Sequence, residues 1–179
     1  MAVKSQCQPF DSEGRYWVGI DPGNTGALAV VDEYGDAMGW TRMPIIKVGR
    51  RTEINVARLK EFLPYPIRGE EHKIKVVIEE VTSFGMGRTS AFTFGKNLGV
   101  LLGVVSCMGF PMERPRPKQW QKVMLEGLAK GEHTKSSANV MALRLYPQLS
   151  DTLKIKANQG IADAILMAEW SRRISMKGG

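Results

Sequence analysis

The stretch Tyr16-Trp17-Val18-Gly19-Ile20-Asp21-Pro22-Gly23-Asn24-Thr25-Gly26-Ala27-Leu28-Ala29-Val30-Val31 decides how the rest of the chain is read. It predicts strand, tight turn, strand. Residues 16–20 are rich in β-formers, residues 27–31 are a second apolar run, and Pro22, Gly23, Asn24 and Gly26 supply turn chemistry between them. Asp21 stands where the first strand stops. A carboxylate there is mounted on a rigid element and faces the open end of a sheet, a good position for a metal ligand or a general base. The competing reading is an Asp-Pro-Gly sequence that simply opens a turn.

Outward from this hairpin, residues 33–36 make another turn and residues 37–42 a third strand, giving an antiparallel meander. Residues 44–51 carry Lys47, Arg50 and Arg51 and read as a basic loop, either solvated or touching phosphates. Val56, Leu59, Phe62 and Leu63 recur at helical spacing, and Pro64 and Pro66 end that helix. Residues 74–78 are an almost continuous apolar run, as in a central strand buried on both faces, and they lead into Glu79-Glu80. Successive side chains point to opposite faces, so only one of the two can share a site with Asp21. A loop containing Phe84, Met86 and Arg88 precedes a helix predicted over about residues 89–108. Gly95, Gly99 and Gly103 line one face of it, at about 1 kcal/mol each relative to alanine, which implies a close partner, internal or a second subunit. A short strand after Phe110, a helix over 117–124 with proline in its first turn, and a helix from Thr134 to Leu145 follow. Residues 148–159 read as polar connection. The last helix, about 160–173, places Asp163 on the same face as Leu166, Met167 and Trp170. An Asp on an apolar helix face needs a hydrogen-bonded backbone partner or a cation.

The totals bound the function. A chain of 179 residues is long enough for one domain with a real core, here residues 15–175 behind a flexible leader at 1–14. Hydrophobic and charged contents of 43% and 24% are ordinary for a globular protein. The 25 Lys+Arg against 18 Asp+Glu, a net +7 with a pI near 9.5, suggest a polyanionic partner such as nucleic acid. Cys7 and Cys107 make neither a disulfide framework nor a zinc cluster, and the N-terminus lacks an apolar signal region, so a reducing, cytoplasmic location is expected. The longest apolar run, around residues 100–105, is too short to span a bilayer, and no membrane partner is expected.

Three acids thus stand at element ends or faces: Asp21, one of Glu79 and Glu80, and Asp163. The only histidines are His72 and His133. Carboxylate-rich, histidine-poor sites suit Mg²⁺ or Mn²⁺ rather than zinc. With a polyanion as partner, this points to phosphodiester chemistry, in which two ions about 3.5–4 Å apart activate water and stabilise the leaving oxygen.

The sequence resembles the RuvC-type Holliday junction resolvases of the ribonuclease H-like superfamily, in their bacterial, phage and chloroplast branch, over about residues 16–174. The marks are Gly19-Ile20-Asp21-Pro22-Gly23, Val77-Ile78-Glu79-Glu80-Val81 and Ala162-Asp163-Ala164, with Phe92-Thr93-Phe94-Gly95-Lys96 and Pro117-Lys118-Gln119-Trp120 between them. The resemblance implies an α/β fold with a mixed five-stranded sheet flanked by helices. It also implies a homodimer that binds four-way DNA junctions and an endonuclease activity that cuts them by paired Mg²⁺-dependent nicks, with Mn²⁺ able to substitute. It matches Glu79 rather than Glu80 to the second acid, and Lys118 and Lys135 to basic positions near the scissile phosphate. Lys47, Arg50, Arg51 and Arg88 are the further candidates for DNA contact. One departure stands out. Family members usually carry another acid three or four residues before the last aspartate, where this chain has Gly160 and Gln159. Gln159 could lend a carbonyl oxygen to the second ion, but no charge; Asn158 is a further amide one residue back. The missing acid leaves a non-catalytic junction-binding protein as the alternative. Asp21, Gly23, Thr25 and Gly26 also match the Asp-x-Gly-x-Thr-Gly of actin-like sugar kinases, but those enzymes need two related domains, and this chain is too short for them.

Overall fold

Two apolar runs joined by a five-residue turn bury both their faces only if helices cover the sheet on each side. The computed structural model, which describes residues 6–7, 10, 13–49, 51–65, 69–81, 85–128 and 137–177, has that arrangement. Strand β1 is Gln6–Cys7, β2 Tyr16–Asp21, β3 Ala27–Asp32 and β4 Ala37–Arg42. A separate hairpin consists of β5 (Ile45–Val48) and β6 (Arg51–Ile54); β7 is Ile74–Ile78 and β8 Met112–Glu113. The helices are α1 (Val56–Phe62), α2 (Arg88–Cys107), α3 (Pro117–Met124), α4 (Ser137–Leu145), α5 (Ser150–Leu153) and α6 (Gln159–Lys177).

The main sheet runs β1-β4-β3-β2-β7-β8. β2, β3 and β4 form the antiparallel meander, while β7 lies parallel to β2 and β8 parallel to β7. The mixed sheet between helices is the expected one. It gains a sixth strand because Gln6–Cys7, in the stretch expected to fray, pairs with Gly39 and Trp40 of β4.

Strand alternation sorts the core into two halves. Trp17, Ala27, Ala29, Val31 and Val77 pack with α3, α4 and α6, whereas Val18, Ile20, Leu28, Val30, Val76 and Ile78 pack with α1 and α2. Asp21 has the parity of Trp17 and Gly19, and Glu79 that of Val77, so both belong to the α6 side. α6 lies unusually close to β2 because Gly19 has no side chain: a Cβ there would run into the Ala164 carbonyl and sit 2.8 Å from the Ala168 nitrogen.

Three expectations need correction. Residues 44–51 are not an irregular loop: they supply β5 and the start of β6, paired from Ile45↔Ile54 to Val48↔Arg51. Every β5 residue is exposed, so no buried face advertised the strand. Residues 148–159 are not mere connection, since α5 and two flanking 3-10 turns bury Leu149, Leu153 and Asn158. Finally, α2 is 20 residues long and apolar enough, by length and composition, to cross a membrane. Here it serves as a sheet-covering helix: Leu101 and Val105 are fully buried, Asn97 donates to Asn24 Oδ1 and the Thr52 carbonyl, and Lys96 pairs with Glu53. Its glycine stripe has no internal partner among the described residues, because a Cβ at Gly95, Gly99 or Gly103 would meet none of them within 4 Å.

Candidate active site

The site is built at the end of the sheet where β2 and β7, being parallel, both finish. Asp21 closes β2, and its Oδ1 accepts from Gly23 N at 3.3 Å, which fixes the turn and the carboxylate together. Glu79 follows β7 and prolongs its ladder, its N–H donating to the Ile20 carbonyl at 3.2 Å. Asp163 comes up from the first turns of α6. Position 160 on that helix is pressed against the same group: a Cβ on Gly160 would lie 3.0 Å from Asp21 Oδ2 and 3.0 Å from the Gly26 Cα.

The electrostatics show that the three acids are neighbours. Burial pushes the Asp21 carboxyl above its ordinary range, partly offset by the Gly23 N–H. Burial raises Glu79 too, the Trp120 indole works against it, and the Asp21 charge adds to it. Asp163 is pushed up to about 7 by burial and then by the charges of Asp21 and Glu79. Among the described residues, no lysine or arginine contributes to any of these three shifts. No set of three or more His, Cys, Asp or Glu side chains among the described residues is drawn tightly enough to enclose an ion as it stands. The donor set nonetheless fits a hard divalent cation: three carboxylates, half-buried or more, Asp21 disfavouring the charge on Glu79 and both disfavouring that on Asp163, with no basic residue among the described ones discharging them.

Of the two acids after β7, Glu79 joins this group. Glu80 points elsewhere and pairs with Arg116 at 3.1 Å, with 41% of its side chain exposed. Gln159 is exposed at the start of α6, and no hydrogen bond ties it to the three acids; the residue held against Asp21 is Gly160. Asn158 is also committed elsewhere, accepting from Arg42 Nε at 2.6 Å and donating to the Thr152 carbonyl at 2.8 Å.

Of the basic candidates, Arg51 shares a cavity with Asp21. A cavity of about 540 Å³ opens from Asp21 along Asn24, Arg51, Thr52, Met86 and Phe92. Phe92 leaves 66% of its surface exposed beside it. Lys47 is exposed on β5, Arg88 at the start of α2 and Lys118 on α3. Arg50 and Lys135 lie outside the described residues. Sequence reasoning missed the partners that hold the acids in place. Trp120 Nε1 donates to Glu79 Oε1 at 2.9 Å, and Asn97 steadies the turn after β2 through Asn24. Pro117-Lys118-Gln119-Trp120 had marked the tryptophan, but no periodicity announces a contact across 41 positions.

No family model matches the chain. It is 32% identical over 87 residues to the chloroplastic Holliday junction resolvase MOC1 of Chlamydomonas reinhardtii. The match covers 49% of this chain but 10% of that protein, so the chain spans about a tenth of the curated relative's length. Two solved structures from Thermus thermophilus are similar over 90% of this chain and 96% of theirs. One is RuvC in complex with a Holliday junction substrate, at TM-score 0.48 and 16% identity; the other is RuvC itself, at TM-score 0.50 and 21% identity. The fold that carries these three acids is therefore the ribonuclease H-like fold of RuvC.

Proposed function

We propose that the protein is a structure-selective endodeoxyribonuclease that binds four-way DNA junctions as a homodimer and resolves them by paired, Mg²⁺-dependent nicks. The observation that carries this reading is the convergence of Asp21, Glu79 and Asp163, half-buried and with no basic neighbour among the described residues, at the open end of a RuvC-like sheet. The likeness to a named Holliday junction resolvase supports the choice of a branched substrate.

Asp21, Glu79 and Asp163 would hold the ions. When bound, two Mg²⁺ ions supply an activated water and stabilise the leaving oxygen of a phosphodiester. The chain's own residues do the rest. Gly23 N–H and the Trp120 indole orient two of the carboxylates. Arg51 and Lys47, on the exposed hairpin, meet phosphates along the cavity that starts at Asp21, and Arg88 and Lys118 extend the basic surface. A second copy fits the outward face of α2. Its glycine stripe is open, and an apolar groove of about 590 Å³ between α1 and α2 runs beside it, lined by Val56, Tyr65, Val100 and Val104.

The second reading, a junction-binding protein without turnover, is favoured by Gly160, which puts no acid at the position facing Asp21. Native and denaturing gels of a synthetic four-way junction, with and without Mg²⁺ or Mn²⁺, separate the two. The nuclease reading predicts a retarded junction that is nicked on opposite strands only with metal, at an affinity that falls steeply with salt. Retardation without nicking in either metal selects the second reading. Equal affinity for a linear duplex at moderate salt removes both.

A further inference from the structure

The geometry points to α3 as the element that sorts and aims the two acids after β7, with Trp120 as the positioning residue for Glu79. This rests on the metal-nuclease reading above and adds how one ligand is held.

The helix engages the two acids in chemically different ways. Trp120, 1% exposed, donates its indole N–H to Glu79 Oε1 at 2.9 Å. Four residues earlier, Arg116 Nε donates to Glu80 Oε2 at 3.1 Å. The helix start is itself fixed, since Gln119 Oε1 accepts from Arg116 N at 2.7 Å, and the Glu80 N–H donates to the Pro115 carbonyl at 2.8 Å. The pair is thus stitched to α3 through Trp120 and to the two residues that lead into it, Pro115 and Arg116, by backbone and by both side chains.

The choice of donors matters. Arginine is a permanent cation, so Glu80 is discharged by its partner. Tryptophan is a neutral, donor-only group. It fixes one oxygen of Glu79 and leaves the other oxygen and the full negative charge for a cation. A lysine or arginine in its place would compete with the metal. The simpler explanation, that a buried indole just needs an acceptor, is weakened within this molecule: the Trp170 indole is buried and has no partner among the described residues. Burying an indole here does not by itself require a carboxylate.

The experiment measures Mn²⁺ binding to the full chain by the spin-resonance signal of free Mn²⁺, for four proteins: parent, Trp120→Phe, Glu79→Gln and the double variant. A fifth carries 3-benzothienylalanine at 120, which keeps the shape of the indole and lacks the N–H. Outer-shell partners of metal ligands typically contribute about 10–100-fold in affinity. Both Trp120 replacements should therefore weaken Mn²⁺ binding about tenfold, and the benzothienylalanine protein, which keeps the indole's shape, should also keep a thermal midpoint and metal-free junction affinity close to the parent's. In the Glu79→Gln background the Trp120→Phe change should cost less than about twofold, because its target carboxylate is gone. Unchanged Mn²⁺ affinity with benzothienylalanine overturns the inference. So does an equal loss in the Glu79→Gln background, which would mean that Trp120 acts through packing. If parent and Glu79→Gln bind Mn²⁺ equally, the metal-site reading itself falls, and this inference with it.

Discussion

The two ends of α6 solve the same problem in opposite ways. Each half holds an acid away from water, Glu169 buried and Asp163 half-buried. At the C-terminal end Glu169, 3% exposed, is surrounded by partners: Arg172 donates to both its oxygens, Arg173 to one and the Tyr146 hydroxyl to the other. Burial alone would raise its pKa, yet the two arginines hold it below the usual carboxylate range. At the N-terminal end Asp163 meets two more acids and is pushed up to about 7. Structural burial of a charge requires a countercharge. Around Asp163 the described residues supply none and add like charges instead, which suits a cation from outside.

The sharpest way to break this comparison is to neutralise the acids one at a time. Asp21→Asn, Glu79→Gln and Asp163→Asn should each reduce junction nicking by about 10³-fold or more and leave junction binding in place, measured on denaturing and native gels. Glu80→Gln should stay within about threefold of the parent, because Glu80 pairs with Arg116 outside the cluster. A dead Glu80→Gln beside an active Glu79→Gln would reverse the assignment.

At the other end the same change should act on stability. Glu169→Gln leaves Arg172 and Arg173 without their acceptor charge, and the partial exposure of Arg173 softens the loss. Chemical denaturation should show a cost of about 2–3 kcal/mol, with nicking retained below the melting transition.

pH should separate the two ends by sign. The folded-state pKa of Asp163 lies above its unfolded value of 3.8, so the folded metal-free protein holds that proton more tightly. Its contribution is fully present below about pH 4 and is lost as pH rises through about 7. The raised Asp21 and Glu79 act in the same direction. Glu169, with a lowered pKa, contributes above its unfolded value and loses that contribution as pH falls through its folded pKa. Metal-free thermal stability should therefore decline between about pH 4 and 7, by on the order of a few kcal/mol at most, and Asp163→Asn should flatten much of that slope. A slope unchanged in the variant would detach Asp163 from the effect.

The smallest effects are expected around the missing acid. Gly160→Ala places a methyl 3.0 Å from Asp21 Oδ2 and from the Gly26 backbone, and should lower nicking about tenfold by displacing the turn. Gln159→Asp, at an exposed position, should shift the Mg²⁺ dependence by less than about threefold. A large gain from Gln159→Asp would show that this side chain does reach the ions.

Much of this was legible in the sequence, for identifiable reasons. The alternation through Trp17, Gly19 and Asp21 sets the face of β2, and the unbroken run at 74–78 marks β7 as central. The period-two rule places Glu79 and Glu80 on opposite faces, and the family resemblance picked out Glu79. The hairpin at 45–54 escaped because β5 buries nothing. The segment 148–159 escaped because its order comes from Leu149, Leu153 and the hydrogen bonds of Asn158 rather than from a periodic stripe. The fixing of Glu79 by Trp120 was invisible because a tertiary hydrogen bond leaves no local pattern. Gly160 could be read only as a gap in a motif; that it faces Asp21 emerges once α6 is packed on β2.

Asp21, Glu79 and Asp163, which no described basic residue neutralises, are proposed to make a metal-dependent junction nuclease. The most direct test is the initial nicking rate of an end-labelled four-way junction at pH 8 across a Mg²⁺ titration. No cleavage is expected without metal, the rate should rise with Mg²⁺ to a plateau, and the nicks should lie symmetrically on opposite strands. Cleavage that persists in chelator, or a junction that is bound but uncut at every Mg²⁺ and Mn²⁺ concentration, would contradict it.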